Sequence, residues 1–223
     1  MNEATKTRSV WTEMEWSLLR GRGIDIGCGR DPVLPEVLRF DLEHGDANVI
    51  TEHVEDTFDF VFSAHCLEHM RCPRAALQQW WKLVKPGGHL IVIVPDQDLY
   101  EQRVWPSLFN TDHKATFTMA PSANWSGVSV NVFELGSSLP GGDLLDVRLQ
   151  DLGYERSYLR PWRCPRWWAR LLVIVRWNLV KWFHKLEIEV DLKWFAPVFQ
   201  APIDQTIGGA LAQIQLVVRK RPV

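Results

Sequence analysis

Short apolar segments alternate with polar stretches that contain glycine and proline along the first 150 residues of the chain. Between the segments at 58–63 and 90–94, Leu77, Trp80, Trp81 and Val84 recur at helical spacing, and a Pro-Gly-Gly turn follows. The run at 90–94 is apolar throughout, which is typical of a strand buried on both faces of a parallel sheet. The pattern therefore predicts an α/β fold. Strands are expected at 24–27, 37–41, 48–50, 58–63, 90–94, 144–149 and 212–218, and helices at 9–20, 73–84 and 128–135, with about one helical turn between the first two strands.

The first predicted strand runs directly into the turn Gly27-Cys28-Gly29, and the second predicted strand ends at Asp41. Glycines let a ligand lie against bare backbone. A carboxylate at the tip of the neighbouring strand can accept hydrogen bonds from a ribose diol, as it does in dinucleotide sites. Together these features favour a nucleoside-cofactor site at the carboxyl ends of parallel strands.

Composition fits one globular domain that covers residues 1–223, with 46% hydrophobic and 23% charged residues. The formal net charge of -2 argues against a general nucleic-acid-binding surface. The first ten residues are polar, without a secretory signal, and the four cysteines show no paired framework. We therefore expect a cytoplasmic protein with reduced thiols. The longest aliphatic run, at 171–175, is too short to span a bilayer.

A basic, tryptophan-rich insertion is predicted at 153–206, before the last strand. Eight Lys or Arg and no Asp or Glu fall within 156–186, and six of the twelve tryptophans lie within 162–194. The segment 166–186 has the pattern of a basic amphipathic helix. One interpretation is a helix that lies on a membrane surface, which would place the protein peripherally at the inner membrane face. The other is a lid or dimerisation helix whose apolar face is buried by protein.

The order of these motifs resembles that of class I S-adenosylmethionine-dependent methyltransferases. The resemblance is carried by the turn from Asp25 to Gly29, by Asp41, and by the stretches 58–69 and 83–90. It covers roughly residues 20–150 and the last strand. It implies a Rossmann-like fold with a seven-stranded, mostly parallel sheet whose last strand is antiparallel and lies beside the sixth.

The resemblance also implies a set of residues that bind S-adenosylmethionine. Gly27 and Gly29 would pass under its methionine portion, with Asp25 near the amino group. Asp41 would hold the ribose hydroxyls, and Asp46 would approach the adenine. The full candidate set is Asp25, Gly27, Cys28, Gly29, Asp41, Leu42, Asp46, Ala47, Ser63 and His65.

Three groups of side chains follow the predicted strand ends and could line an acceptor site: His65 with His69, Asp96 with Asp98, and Asp112 with His113. An alcohol acceptor benefits from a general base, and histidine has a reference pKa near neutrality. The candidate bases are His113 and His69, followed by His65. The alternative is that His69 caps a helix and that the acids are solvated loop residues.

A metal site is not predicted, since the spacing of His65, Cys66, His69 and Cys72 matches none of the usual zinc templates. The two adjacent residues Trp80 and Trp81 are predicted to pack in the core.

The predicted function is transfer of a methyl group from S-adenosylmethionine to a small-molecule or glycan-type acceptor, at oxygen. The segments 95–101 and 109–114 resemble a bacterial methyltransferase subgroup that is often linked to polysaccharide biosynthesis. Two rivals stay open: methylation of nitrogen or carbon on a metabolite, and a non-catalytic cofactor-binding protein that associates with a membrane or a partner. A nucleic-acid substrate is disfavoured, because the basic residues concentrate in one insertion.

Overall fold

The computed structural model describes residues 3–120, 125–159 and 202–222, together with residues 171, 175, 178 and 179. The predicted helix at 166–186 lies outside the described residues, apart from those four. The two interpretations of this segment, membrane contact and dimerisation through 162–194, therefore concern residues outside the described part. Within the described part, none of the helices combines the length and the apolar character that crossing a membrane would require.

A six-stranded sheet forms the centre of the described part, in the order β2-β1-β3-β4-β8-β7. Strands β1 to β4 are parallel, and β8 is antiparallel to both of its neighbours, β4 and β7. Two short strands, β5 and β6, form a separate parallel pair. The strands are β1 (Gly23–Ile26), β2 (Leu38–Phe40), β3 (Phe58–Ala64), β4 (Val84–Pro95), β5 (Thr116–Thr118), β6 (Ser129–Asn131), β7 (Gly142–Gln150) and β8 (Gln213–Lys220).

The helices are short, and α3 is the longest of those described. The α-helices are α1 (Glu3–Arg8), α2 (Glu13–Leu18), α3 (Pro73–Lys82) and α4 (Val132–Ser137), and 3-10 helices span Ala47–Glu52, Leu67–His69, Arg156–Tyr158 and Gln205–Gly208. Proline at the start of α3 suits its first turn, where no intrahelical partner is needed for the missing N–H.

The central strands are covered on both faces, which explains their continuous apolar sequence. Along β3, Val61 belongs to a core cluster that contains Trp80 and Trp81 of α3. Its neighbour Phe62 belongs to the opposite cluster, with Trp11. Burial of both α3 tryptophans confirms their predicted role in the core. Their indole N–H groups donate to the carbonyl oxygens of residues 47 and 140 at 2.8 and 3.0 Å.

The α/β fold class and the placement of the last strand between β4 and β7 are confirmed, whereas several elements differ from prediction. The strand predicted at 48–50 is wrong: these residues lie in a 3-10 helix, because the side chain of Asp46 caps its start by accepting from the N–H of Asn48 at 2.9 Å. The described sheet therefore has six strands rather than seven. The β1–β2 connection contains no helix.

Two predicted helices are also wrong in extent. The helix predicted at 9–20 is shortened to α2, which begins after Thr12 with a capping box to Glu15, and α1 lies before the predicted range. The helix predicted at 128–135 starts as strand β6. Asn131 then caps α4 by accepting from the N–H of Glu134 at 3.0 Å.

Candidate active site

The turn after β1 requires glycine at position 27. The N–H of Gly27 donates to the carbonyl oxygen of Phe40 at 2.7 Å, which ties the turn to the end of β2. Gly27 has φ +77°, and a Cβ added there would lie 2.6 Å from Cβ and Sγ of Cys66. Since both the backbone conformation and the space exclude a side chain, the surface of the turn at this point is bare backbone.

Asp41 holds the same turn from the neighbouring strand. Its Oδ2 accepts from the N–H of Gly29 at 2.6 Å, and its Oδ1 accepts from the N–H of Leu42 at 2.7 Å. The guanidinium of Arg39 donates to the carbonyl oxygen of Gly29. A carboxylate offers about four lone-pair positions. Asp41 therefore keeps acceptor capacity for a ligand beside the turn.

Asp25 and Ser63 are buried and support the turn from below. Asp25 Oδ2 accepts from the N–H of Val33 at 2.6 Å, whereas its Oδ1 has no hydrogen-bond partner among the described residues. Burial raises the pKa of Asp25 to about 7. The hydroxyl of Ser63 donates to the carbonyl oxygen of Ile26 at 2.8 Å. Both side chains therefore fix β1 and the loop that follows it.

A pocket of about 470 Å³ opens between the turn and Asp41; we call it the Gly27 pocket. Six of the predicted cofactor residues line it: Gly27, Asp41, Leu42, Asp46, Ala47 and His65. Asp25, Cys28, Gly29 and Ser63 are not among its lining residues. Sequence reasoning missed other lining residues, including Phe40, Asn48 and Arg71. The position of Phe40 at the end of β2, next to Asp41, could have indicated that it lines the site. Arg71 lies in a loop that carries no recognisable sequence motif.

Asp46 has its carboxylate fixed on the wall of this pocket. Hydrogen bonds from the side chain and the backbone of Asn48 lower the pKa of Asp46, with a smaller contribution from Arg71. Arg71 lies 2.9 Å from Asp46 Oδ2. The acid therefore stays ionised where the 3-10 helix begins.

A second pocket of about 190 Å³ lies at the same edge of the sheet; we call it the His113 pocket. Its polar and aromatic lining includes Tyr100, Asn110, Thr206 and Gln213. His65 and His69 line both pockets. The two cavities therefore meet at these histidines, where the strands β3 and β4 end and β8 begins.

The three candidate bases converge on one buried carboxylate, that of Glu68. His113 reaches it because the N–H of Lys114 donates to the carbonyl oxygen of Glu68 at 2.7 Å. The rings of His69 and His113 are 5.0 Å apart in an edge-on arrangement. Burial alone would raise the pKa of Glu68, but the neighbouring imidazolium of His65, together with the other two histidines, holds that pKa below its ordinary value.

Two of these histidines each have a carboxylate partner. His113 Nδ1 lies 2.7 Å from Glu101 Oε1, and both side chains are buried. His69 Nδ1 lies 2.9 Å from Oδ2 of the exposed Asp112. An ionised carboxylate accepts a hydrogen bond from Nδ1–H and so holds the ring with Nε2 as the free nitrogen.

His65 is in a different electrostatic state. It adopts φ +54° at the end of β3, with Nε2 2.9 Å from Gln213 Oε1 and Nδ1 3.4 Å from Glu68 Oε1. Burial would lower the pKa of His65, but Glu68 and Glu3 outweigh it and raise that pKa to about 9. An imidazole that is protonated at neutral pH is a poor general base.

Asp96 and Asp98 line neither pocket. Asp96 is buried rather than solvated, and its Oδ1 accepts from the N–H groups of Asp98 and Leu99 at 3.0 and 2.9 Å. Asp98 Oδ1 accepts from Nε of Arg103 at 3.1 Å. These acids shape the loop after β4.

The parallel sheet, the glycine turn and the acid at the end of β2 define an α/β protein that binds a nucleoside cofactor. A family model described as a methyltransferase domain matches residues 10–185. The chain therefore belongs to this methyltransferase family, and it is an S-adenosylmethionine-dependent enzyme. The Gly27 pocket fits that cofactor, because it combines bare backbone at Gly27 with a carboxylate at Asp41 that keeps acceptor capacity.

Two solved structures share the fold over nearly the whole chain. A candidate sarcosine dimethylglycine methyltransferase from Galdieria sulphuraria is 15% identical with a TM-score of 0.50, covering 99% of this chain and 85% of that one. An S-adenosylmethionine-dependent methyltransferase from Archaeoglobus fulgidus is 14% identical with a TM-score of 0.50, covering 99% and 95%. A comparison with curated proteins found no match.

Proposed function

We propose that the enzyme methylates a hydroxyl group of a small-molecule or glycan-type acceptor that binds in the His113 pocket. The observation that carries the proposal is that His65 and His69 line both pockets. A methyl donor in one cavity and an acceptor in the other would meet at these side chains. Such positioning can supply roughly 7–11 kcal/mol of the barrier at best.

In this proposal the Gly27 pocket orients S-adenosylmethionine, which supplies an electrophilic methyl group when bound. Asp41 accepts hydrogen bonds from the ribose, and the backbone at Gly27 lies against the methionine portion. Asp46 and Ala47 flank the adenine. Four further residues contribute to the cofactor site through the turn. Asp25, Gly29 and Ser63 hold the turn in place, and Cys28 is part of it. This arrangement is supported by the lining of the pocket and by the hydrogen bonds of Asp41.

Methylation at oxygen is supported by the histidine–carboxylate pairs. A hydroxyl must lose its proton as the new oxygen–carbon bond forms, and a positioned base typically contributes 10²- to 10⁴-fold. In the pair of His69 with Asp112 the carboxylate holds Nδ1, which leaves Nε2 to act on the acceptor. His113 with Glu101 offers the same arrangement. His65 contributes positive charge rather than a base.

The lining of the His113 pocket favours a compact group that carries hydroxyls on an apolar frame. Asn110 and Thr206 can exchange hydrogen bonds with hydroxyls, and Tyr100, Ala210, Leu211 and Ala212 add apolar surface. The volume of about 190 Å³ is below the range typical of drug-sized ligands, so we infer that one small unit of the acceptor enters. The polysaccharide connection and the cytoplasmic location predicted from the sequence remain predictions.

The direct test is product formation with a methyl-labelled cofactor and a panel of sugars, nucleotide sugars, phenols and amines. The proposal expects a product whose labelled methyl carbon is bonded to oxygen, identified by NMR. Labelling at nitrogen or carbon alone would contradict it. Tight binding of S-adenosylhomocysteine without any methylated product across the panel would favour the non-catalytic alternative.

A further inference from the structure

Glu68, His69 and His113 form a compact cluster at the wall of the His113 pocket. One potential ligand atom from each side chain lies within 4.8 Å of the other two. Glu68 and His69 are adjacent in the 3-10 helix that follows β3, and His113 arrives from the segment between β4 and β5. We propose that these three residues bind a divalent first-row transition-metal ion.

The strongest observation is the state of Glu68. Its side chain is fully buried, and within the described part of the chain neither carboxylate oxygen has a hydrogen-bond partner. Burying an ionised carboxylate without hydrogen bonds is costly. Two imidazole nitrogens lie at ion-pair distance from Oε1: His65 Nδ1 at 3.4 Å and His113 Nε2 at 4.0 Å. A cation bound between Glu68 and its neighbours would satisfy these lone pairs.

The surroundings of the two histidines are those expected of metal ligands. Metal-bound histidines usually donate their second N–H to a carboxylate or carbonyl, which fixes the tautomer and orients the ring. His113 does so with the buried Glu101, and His69 does so with Asp112. Both pairs leave Nε2 available, and His113 Nε2 is the atom that faces Glu68.

The three ligand atoms, which lie within 4.8 Å of one another, would move closer together around an ion. Two ligands at 2.0–2.2 Å from a tetrahedral ion are about 3.3–3.6 Å apart. The observed 4.0 Å between His113 Nε2 and Glu68 Oε1 is close to this range. Two imidazoles and one carboxylate suit Mn²⁺, Fe²⁺, Co²⁺, Ni²⁺ or Zn²⁺, whereas Mg²⁺ and Ca²⁺ prefer oxygen ligands.

The role of the ion rests on the proposed function, although its binding does not. A cation at this wall would have open positions toward the His113 pocket, where it would bind the acceptor hydroxyl and lower its pKa. The acceptor oxygen then forms a bond to the methyl carbon as the carbon–sulfur bond of the sulfonium breaks. With the ion bound, His69 and His113 act as ligands through Nε2 instead of as bases, so the hydroxyl proton is released to solvent, and S-adenosylhomocysteine leaves.

The test is titration of Mn²⁺ into chelator-treated full-length protein, without cofactor or acceptor, followed by calorimetry and electron paramagnetic resonance. We expect one Mn²⁺ per chain and weak competition by Mg²⁺. His113→Gln and Glu68→Gln should abolish binding, and Glu101→Gln should weaken it by about 10- to 100-fold. His89→Gln, on the opposite half of β4, is the matched control and should bind like wild type.

Two further measurements distinguish loss of the metal site from loss of folding and locate the bound ion. S-adenosylhomocysteine binding shows whether each variant is folded, and it tests the cofactor site separately from the metal site. In wild type, Mn²⁺ should selectively broaden the imidazole NMR signals of His69 and His113, while that of His89 stays sharp. Absence of Mn²⁺ binding by wild type, or equal binding by His113→Gln, would overturn the metal site.

Discussion

The amide nitrogen of Gly29 lies 2.6 Å from Oδ2 of Asp41, so the turn after β1 and the tip of β2 form one unit. The N–H of Leu42 holds the second oxygen of the same carboxylate at 2.7 Å. The acid is therefore oriented before any ligand arrives, and such preorganisation reduces the entropy lost on binding.

Replacement of Gly27 by alanine should damage both the fold and the cofactor pocket. A residue with φ +77° and a Cβ in contact with Cys66 carries strain of about 1–3 kcal/mol, and relief of that strain would displace the turn. We expect a lower free energy of unfolding in urea and weaker S-adenosylhomocysteine binding. Gly127→Ala is the matched control, because nothing lies within 4 Å of its added Cβ. Equal stability of the two variants would contradict the assignment.

Asp25 should make the stability of the protein depend on pH. Burial raises its pKa in the folded state to about 7, above its ordinary 3.8, so the folded protein binds the proton more tightly. The stabilisation is complete below about pH 4 and is lost as the pH rises through 7. Relative to Asp25→Asn, wild type should lose on the order of 1–4 kcal/mol of unfolding free energy between pH 4 and 8. The unfolding free energy is measured by denaturant titration at each pH. If it changed equally with pH in wild type and in Asp25→Asn, the prediction would be refuted.

His69 should contribute to turnover more than to cofactor affinity. His69→Gln removes the imidazole that faces the acceptor, and we expect kcat to fall by about 10²-fold or more. Asp112→Asn loses the carboxylate that orients His69 and should lower kcat less. His89→Gln, outside both pockets, should retain wild-type turnover. Near-wild-type kcat in His69→Gln at saturating cofactor would remove this residue from the acceptor site.

His65 should titrate well above the ordinary pKa of histidine. Glu68 and Glu3 raise its pKa from 6.5 to about 9, against the effect of burial. The associated stabilisation is complete below about pH 6.5 and is lost as the pH rises through 9. An NMR titration of the imidazole signals tests this, with His65→Asn to assign the resonance, because asparagine tolerates the positive φ. A midpoint near 6.5 would show that His65 is not the cation inferred here.

The sequence could place the Gly27 turn next to Asp41 because the positions of both depend on strand order. Gly27 and Asp41 each follow a strand, and the carboxyl ends of neighbouring parallel strands meet at one edge. The strand predicted at 48–50 could not be ruled out from the sequence. Val49 and Ile50 are β-branched and typical of strands, while the 3-10 helix depends on the single side-chain cap from Asp46.

The acceptor side was predicted only in outline. His69 and His113 could be placed near the strand ends, but the pairing of His113 with Glu101 depends on the path of the loop between β4 and β5. Glu68 next to His69 has the pattern of a helix cap, and only the three-dimensional structure shows that its carboxylate is buried. The same limit applies to the metal cluster, in which His113 lies far from Glu68 and His69 in the sequence.

Calorimetric titration of purified protein with S-adenosylhomocysteine is the decisive test of the cofactor site. We expect one molecule bound per chain by wild type and at least about tenfold weaker binding by Asp41→Ala, since a ligand hydrogen bond to a charged group contributes about 1.5–3 kcal/mol. The control variant Glu43→Gln changes a nearby exposed acid that does not line the Gly27 pocket, and it should bind like wild type. No binding by wild type, or equal affinity of Asp41→Ala and wild type, would show that the Gly27 pocket with Asp41 is not the cofactor site.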